Sequence, residues 1–375
     1  MVARREFAPK VVMGPVYDTA RWPKRRSLAV RACGALAALA LVAGCSAIGT
    51  PDTSDGPAAD GRPECVGPAT ARSEPSVEVI ATDPEPRLPV TYTDITGKPV
   101  TITDASRILA LDMYGTLATT VYALGLGDRL VGRDVSTGLP ELRHLPLVTR
   151  NGHELNGEAI LDLRPSVILT DYSIGPLEVQ LQLRDSGIPV VIMSDQRSRD
   201  LIGPQIEAVA EALGVPRLGE RLAARVRGET EAAQARVAEL APADPAHRLR
   251  MVFLYMRGNA GVYYWFGKGS GADDLIHDLG GIDVATEAGL SGMRPLNAEG
   301  LATANPDLYL MMTHGLESVG GIDGLRKVPG VADTSAGAHS CVVDMSDYQI
   351  LSFGPQFPAT LQALAEAIYR QAIRP

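Results

Sequence analysis

The sequence predicts an α/β protein of two lobes joined by a long helix. Three observations carry this. Short apolar runs alternate with helical patterns on both sides of residue 216, as in a mostly parallel sheet with covered faces. Between them, residues 218–240 run almost unbroken as a helix, reaching roughly 30–35 Å at 1.5 Å per residue. One motif also occurs twice at an offset of 141: Leu155-Asn156-Gly157-Glu158 with Arg164-Pro165-Ser166-Val167 parallels Leu296-Asn297-Ala298-Glu299 with Asn305-Pro306-Asp307-Leu308. Each copy reads as an asparagine helix cap, an acid in the first turn, a short helix, a proline turn and a buried strand. Two copies at matched register suggest two lobes of one design, with a ligand in the cleft between them.

The first 44 residues stand apart. They carry eight basic and two acidic residues, net +6, and end in an apolar run after Arg31 that closes on Val42-Ala43-Gly44, with Cys45 next. A basic region, a short apolar run and small residues before the cleavage point make an export signal. The run is too short to span a bilayer comfortably. The last four residues resemble a bacterial lipobox, in which Cys45 is lipidated and held on the membrane by its acyl chains. Residues 45–375 then carry −15 of the chain's overall −9, which opposes nucleic-acid binding. Residues 45–90, rich in Pro, Ser, Thr, Asp, Gly and Ala, read as a flexible tether. Cys33 leaves with the signal. Cys65 and Cys341 remain in an oxidising compartment, either as a disulfide or as two buried free thiols.

Residues 92–102 read as a hairpin turning at Gly97-Lys98, and 107–111 as a strand. A helix over 115–124 ends at Gly125, followed by a short strand over 129–132. The first repeat gives a helix ending near Leu163 and a strand over 166–170. A helix near 176–186 leads to a strand at 190–193. After the long helix, strands are expected at 250–255 and 307–311. The turn Gly267-Lys268-Gly269-Ser270-Gly271 opens a helix and fits neither dinucleotide nor phosphate-loop spacing. It is either a plain helix start or a set of backbone N–H groups for a ligand carboxylate. The divisions are therefore 1–44 signal, 45–90 tether, 91–215 N-terminal lobe, 216–245 connecting helix and 246–375 C-terminal lobe.

Enzyme motifs are missing. The six histidines form no His-x-x-x-His pair, and there is no Gly-x-Ser-x-Gly elbow. His153 lies in a loop before the first repeated helix, where an idle exposed histidine is the ordinary outcome. Tyr255 and Arg257 are two apart on a strand and so share a face. A guanidinium there would favour tyrosinate, a hard oxygen ligand suited to ferric iron, including haem iron. Plain strand packing explains the same spacing.

Two segments, Asn151-Gly-His-Glu-Leu-Asn-Gly-Glu-Ala-Ile-Leu and Tyr255-Met-Arg257-Gly-Asn-Ala-Gly-Val-Tyr-Tyr-Trp-Phe-Gly-Lys-Gly-Ser-Gly-Ala-Asp, carry a resemblance. From about residue 94 onward the chain resembles the haem-binding lipoproteins of actinobacterial haem-uptake ABC transporters, within the siderophore, cobalamin and haem binding-protein class. The resemblance implies two Rossmann-like lobes on a long backbone helix, a class III periplasmic-binding-protein-like fold. It implies ferric haem as transported ligand, ligated by His153 and Tyr255 from opposite lobes, with Arg257 hydrogen-bonded to the tyrosine. Glu158 and Glu299, already equivalent by the repeat, would dock on the permease. Tyr114, Tyr264, Met293 and Met312 are expected in the pocket, with Arg294 toward a propionate. Further partners are the membrane, through the lipid at Cys45, and a haem-donor surface protein. The expected role is non-catalytic and extracytoplasmic. The rival readings are a ferric-siderophore or corrinoid receptor, and a chelatase-like enzyme, which would need a general base in the cleft and no lipobox.

Overall fold

Continuous apolar runs become parallel strands where helices cover both faces. In the computed structural model, which describes residues 64–74 and 76–374, three such runs build the first lobe. Ile108–Leu111, Val167–Thr170 and Val190–Ile192 lie side by side in that order, all parallel and buried. The hairpin Val90–Thr93 with Pro99–Ile102 precedes them. Its turn is held by the Asp94 carboxylate, which accepts the N–H groups of Thr96 and Lys98. Helix Thr116–Val121 continues to Gly125, which adopts φ +87°, and a Cβ there would collide with the Ala81 carbonyl. The strand expected over 129–132 is only a single bridge from Leu130 to Ile108. Residues Gly127–Arg129 are spent on a tight turn that closes the helix, so little chain is left to pair.

The second lobe is a mixed sheet around Arg250–Arg257. That strand runs parallel to Leu308–Met312 and antiparallel to Val262–Phe266, which pairs with Met293–Pro295. Leu308–Met312 pairs in turn with Val342–Met345. The last strand of this sheet is Ala69–Ala71, parallel to Val342–Met345, and Glu64–Cys65 pairs with Ile373–Arg374. The expected tether therefore does not extend through residues 64–90. Ala69 and Ala71 are small enough to bury against the sheet, and Thr70 donates to Asp344 at 2.9 Å. Cys65 is joined to Cys341 by a disulfide, with Cα atoms 5.7 Å apart. Further on, Arg225 donates to the Glu78 carbonyl and Ile80 N–H to the Ala123 carbonyl, fastening the segment to helices. Low hydrophobicity read as a linker because backbone pairing and one disulfide supply what side chains do not. The expected signal and Cys45 lie outside the described residues.

Helix Pro216–Leu240 is 25 residues long, about 37 Å by helical rise. Leu222, Ala223, Val226, Thr230, Ala233 and Val237 form its buried stripe. The helix packs on Ile202–Ala212 of the first lobe and on Phe357–Glu366 of the second, so it is a connector rather than a free surface helix. The lobes also touch directly. Arg199 binds Asp278 at 2.5 Å, Thr116 and Ser352 hydroxyls are 3.3 Å apart, and Gly138 leaves room for Tyr348.

The repeat is present in both lobes. Asn156 caps Gly157–Asp162 by accepting Ala159 N–H, and Asn297 caps Ala298–Ala304 by accepting the N–H groups of Glu299 and Gly300. After each helix, Arg164 and Asn305 take positive φ, +45° and +42°, at the same offset. Among the described residues no helix is long and apolar enough to cross a membrane.

Candidate functional site

Ligands of open α/β sheets collect beyond the carboxyl ends of the strands. Here a cleft of about 570 Å³ opens at that place, between the lobes. Met113 and Tyr114 reach it from just past Ile108–Leu111, Met312 and His314 from the end of Leu308–Met312, and Asp347 and Tyr348 from beyond Val342–Met345.

His153 and Tyr255 line this cleft from opposite lobes. The turn carrying His153 needs positive φ at Asn151 and Gly152, +47° and +88°. Glu154 secures it by accepting from Arg150 at 2.8 Å and Asn151 at 3.0 Å. His153 Nδ1 lies 3.3 Å from Ser136 Oγ, whose single proton is donated to the Met113 carbonyl at 2.6 Å. Ser136 can then only accept, so the His153 proton sits on Nδ1 and Nε2 keeps a free lone pair. Burial, and then the charge of Arg257, push the His153 pKa down, which favours the neutral ring.

Tyr255 faces Tyr264 across the antiparallel pair, and its ring stacks on Phe266 at 6.0 Å. Arg257 shares its face, as the spacing requires, but makes no hydrogen bond to the Tyr255 hydroxyl. Its guanidinium lies 4.6 Å over the ring, drawn by Asp347 at 2.8 Å and by Met312 sulfur at 3.6 Å. The cation thus meets the π-face rather than the oxygen.

Tyr114, Tyr264, Met293 and Met312 all line the cleft. Arg294 does not. Strand alternation puts Met293 beside Phe266 on the cleft side and Arg294 beside Trp265 on the other. Trp265 itself is buried over Gly300. The glycine turn at 267–271 is closed to ligands, because the Asp273 carboxylate takes the N–H groups of Gly269 and Gly271 at 2.7 and 3.1 Å. Glu158 and Glu299 are exposed in the first turns of the paired helices.

A buried charge network supports the first-lobe wall. Arg197 stacks on Tyr114 at 4.6 Å and pairs with Asp171 and Asp112 at 3.0 and 3.3 Å. Asp112 accepts the N–H groups of Tyr114, Thr116 and Leu117. Asp134 accepts Asp112 N–H and the Thr137 N–H and hydroxyl, tying the loop that bears Ser136 to the loop that bears Met113. Burial, then the Asp112 charge, push Asp134 up to about 7 and Asp171 up to about 6.

Sequence reasoning missed Ser136, His314 and Asp347. The strand-end rule is the signal that could have found the last two, since both follow parallel strands. Ser136 has no such signal; only the folded loop brings it to His153.

A family model described as periplasmic binding protein matches residues 113–348. Among solved structures, the heme binding protein HmuT matches with TM-score 0.78 and 45% identity, over 82% of this chain and 98% of that one. Variants of HmuT with one histidine, one arginine or one tyrosine replaced by alanine also match. The periplasmic heme-binding protein RhuT from Roseiflexus sp. RS-1, in apo form, matches with TM-score 0.65 and 37% identity, over 71% of this chain and 98% of that one. The uncharacterized ABC transporter substrate-binding lipoprotein YvrC of Bacillus subtilis (strain 168) is 25% identical over 285 residues, 75% of this chain and 86% of that protein. With its two lobes, connecting helix and interlobe cleft, the chain belongs to the periplasmic binding protein family.

Proposed function

We propose that this chain is an extracytoplasmic haem receptor that carries ferric haem to an ABC importer without transforming it. The observation that carries the reading is the pairing of His153 and Tyr255, one from each lobe, across a single cleft. A neutral imidazole with Nε2 free and a phenol oxygen suit the two axial positions of ferric iron. Apolar and aromatic walls from Tyr264, Phe266, Met293 and Met312 suit the macrocycle. Arg257 holds a positive charge over the Tyr255 ring and would offset the anionic oxygen of a bound tyrosinate. The likeness to HmuT and RhuT supports the same ligand. The HmuT variants lose the same three residue types that meet here.

Cys45 would carry the lipid that keeps the receptor at the membrane, and a haem-donor surface protein would load it. Glu158 and Glu299, one exposed acid per lobe at equivalent helix starts, would meet basic residues of the permease.

The test is an ultraviolet–visible titration with ferric haem. Wild type should give a saturable ferric spectrum, and Tyr255→Phe and His153→Ala should each change both spectrum and affinity. Unaltered spectra and affinities in both variants would remove these two residues as ligands.

A further inference from the structure

Two imidazoles line the cleft, and the haem reading above uses one. His314 is the second residue of helix Thr313–Ser318. It faces the same cleft as His153 and Tyr255, but its side chain is 62% exposed, which puts it at the open edge. Its Nδ1 lies 3.5 Å from Asp347 Oδ1, and the same oxygen accepts the His314 backbone N–H at 3.0 Å. The other Asp347 oxygen holds Arg257 over the Tyr255 ring. With Nδ1 on the Asp347 side, the neutral ring that carries its proton there presents Nε2 as a lone-pair donor to the cleft. A carboxylate behind an imidazole also orients it and raises its basicity as a metal ligand. His314 thus resembles His153 in having Nδ1 turned to an oxygen partner, here an anionic one at 3.5 Å, and it has greater access to solvent.

We infer that His314 is a capture ligand, which takes the iron of incoming ferric haem at the cleft mouth before the iron passes to His153 and Tyr255. The inference rests on the haem reading of this site. Iron suits His314 better than a haem propionate does, because a propionate there would face the Asp347 carboxylate, which already stands beside the ring. In the transfer, the iron bond to His314 Nε2 and the bond to the water or hydroxide on the opposite face break as the bonds to His153 Nε2 and the Tyr255 oxygen form. The phenol proton goes to water, and the iron stays ferric throughout. Asp347 joins the two stages physically, since one carboxylate touches the capture imidazole and the arginine over the final tyrosine.

The test is stopped-flow mixing of ferric haem with the full chain, followed in the Soret band, for wild type, His314→Gln and His314→Lys. Glutamine keeps a polar side chain but offers iron a poor ligand; lysine keeps a cation for a propionate. Both variants should lose an early spectral phase and capture haem about tenfold more slowly, the scale of a lost or disoriented metal ligand. Capture at the wild-type rate by either variant overturns the inference, and a lysine variant that alone keeps the rate assigns His314 to a propionate instead. A wild-type chain that takes up no haem overturns the parent reading, and this one with it, and is visible before any variant is compared.

Discussion

Ser136 has one hydroxyl proton and gives it to the Met113 carbonyl, which obliges His153 to donate from Nδ1. Ser136→Ala should therefore leave the fold intact and weaken haem binding about tenfold, as removal of an outer-shell partner does. Titration beside a thermal melt separates the two effects. The network behind this contact has its own pH signature. Asp134 and Asp171 have pKa values pushed up to about 7 and about 6, above the ordinary carboxylate range. The stability linked to their protonation is complete below the unfolded value and is lost as pH rises through about 6 to 7. Asp112, Arg197, Tyr114 and Asp195 face the same network, and His153, whose pKa is lowered, acts in the opposite sense. The melting temperature of Asp134→Asn should thus fall less than that of wild type between about pH 4 and 7. Parallel curves for the two proteins would contradict this.

The strands Glu64–Cys65 and Ala69–Ala71 are short, and neither could hold the chain by pairing alone. The Cys65–Cys341 bond, between residues 276 apart in sequence, removes much unfolded-state freedom. Replacing both cysteines by serine should cost about 2–4 kcal/mol. Calorimetry would show it as a lowered melting temperature that no longer responds to reductant. Proteolysis should then release the segment before Val90 first, because it keeps only short strand pairing, three small buried side chains and scattered hydrogen bonds such as Thr70 to Asp344 and Arg225 to the Glu78 carbonyl.

Across the whole molecule, the connecting helix packs on both lobes and Arg199 bridges to Asp278, so the cleft is largely pre-formed. On the function proposed above, haem capture in the cleft and permease docking through Glu158 and Glu299 would use separate surfaces. Glu158→Lys with Glu299→Lys should leave the haem titration unchanged and abolish haem uptake in cells that depend on this receptor. Either single reversal should have an intermediate effect, because the two acids stand at equivalent places on two lobes. Loss of haem binding in the double variant would show that the two surfaces are not independent.

Periodicity, caps and the repeat belong to local stretches of chain, so the sequence by itself determined the α/β class, the connecting helix, the paired Asn-capped helices and the shared face of Tyr255 and Arg257. The resemblance added His153 as a partner for Tyr255. The tertiary structure decided whatever depends on which distant residues meet. It made Glu64–Cys65 and Ala69–Ala71 strands and closed the Cys65–Cys341 bond. It turned Arg294 out of the cleft and brought in His314 and Asp347. It also laid Arg257 on the tyrosine ring instead of its hydroxyl, because Asp347, 90 positions away in sequence, competes for the guanidinium. The proton of His153 was fixed the same way, by a serine whose only hydrogen was already spent.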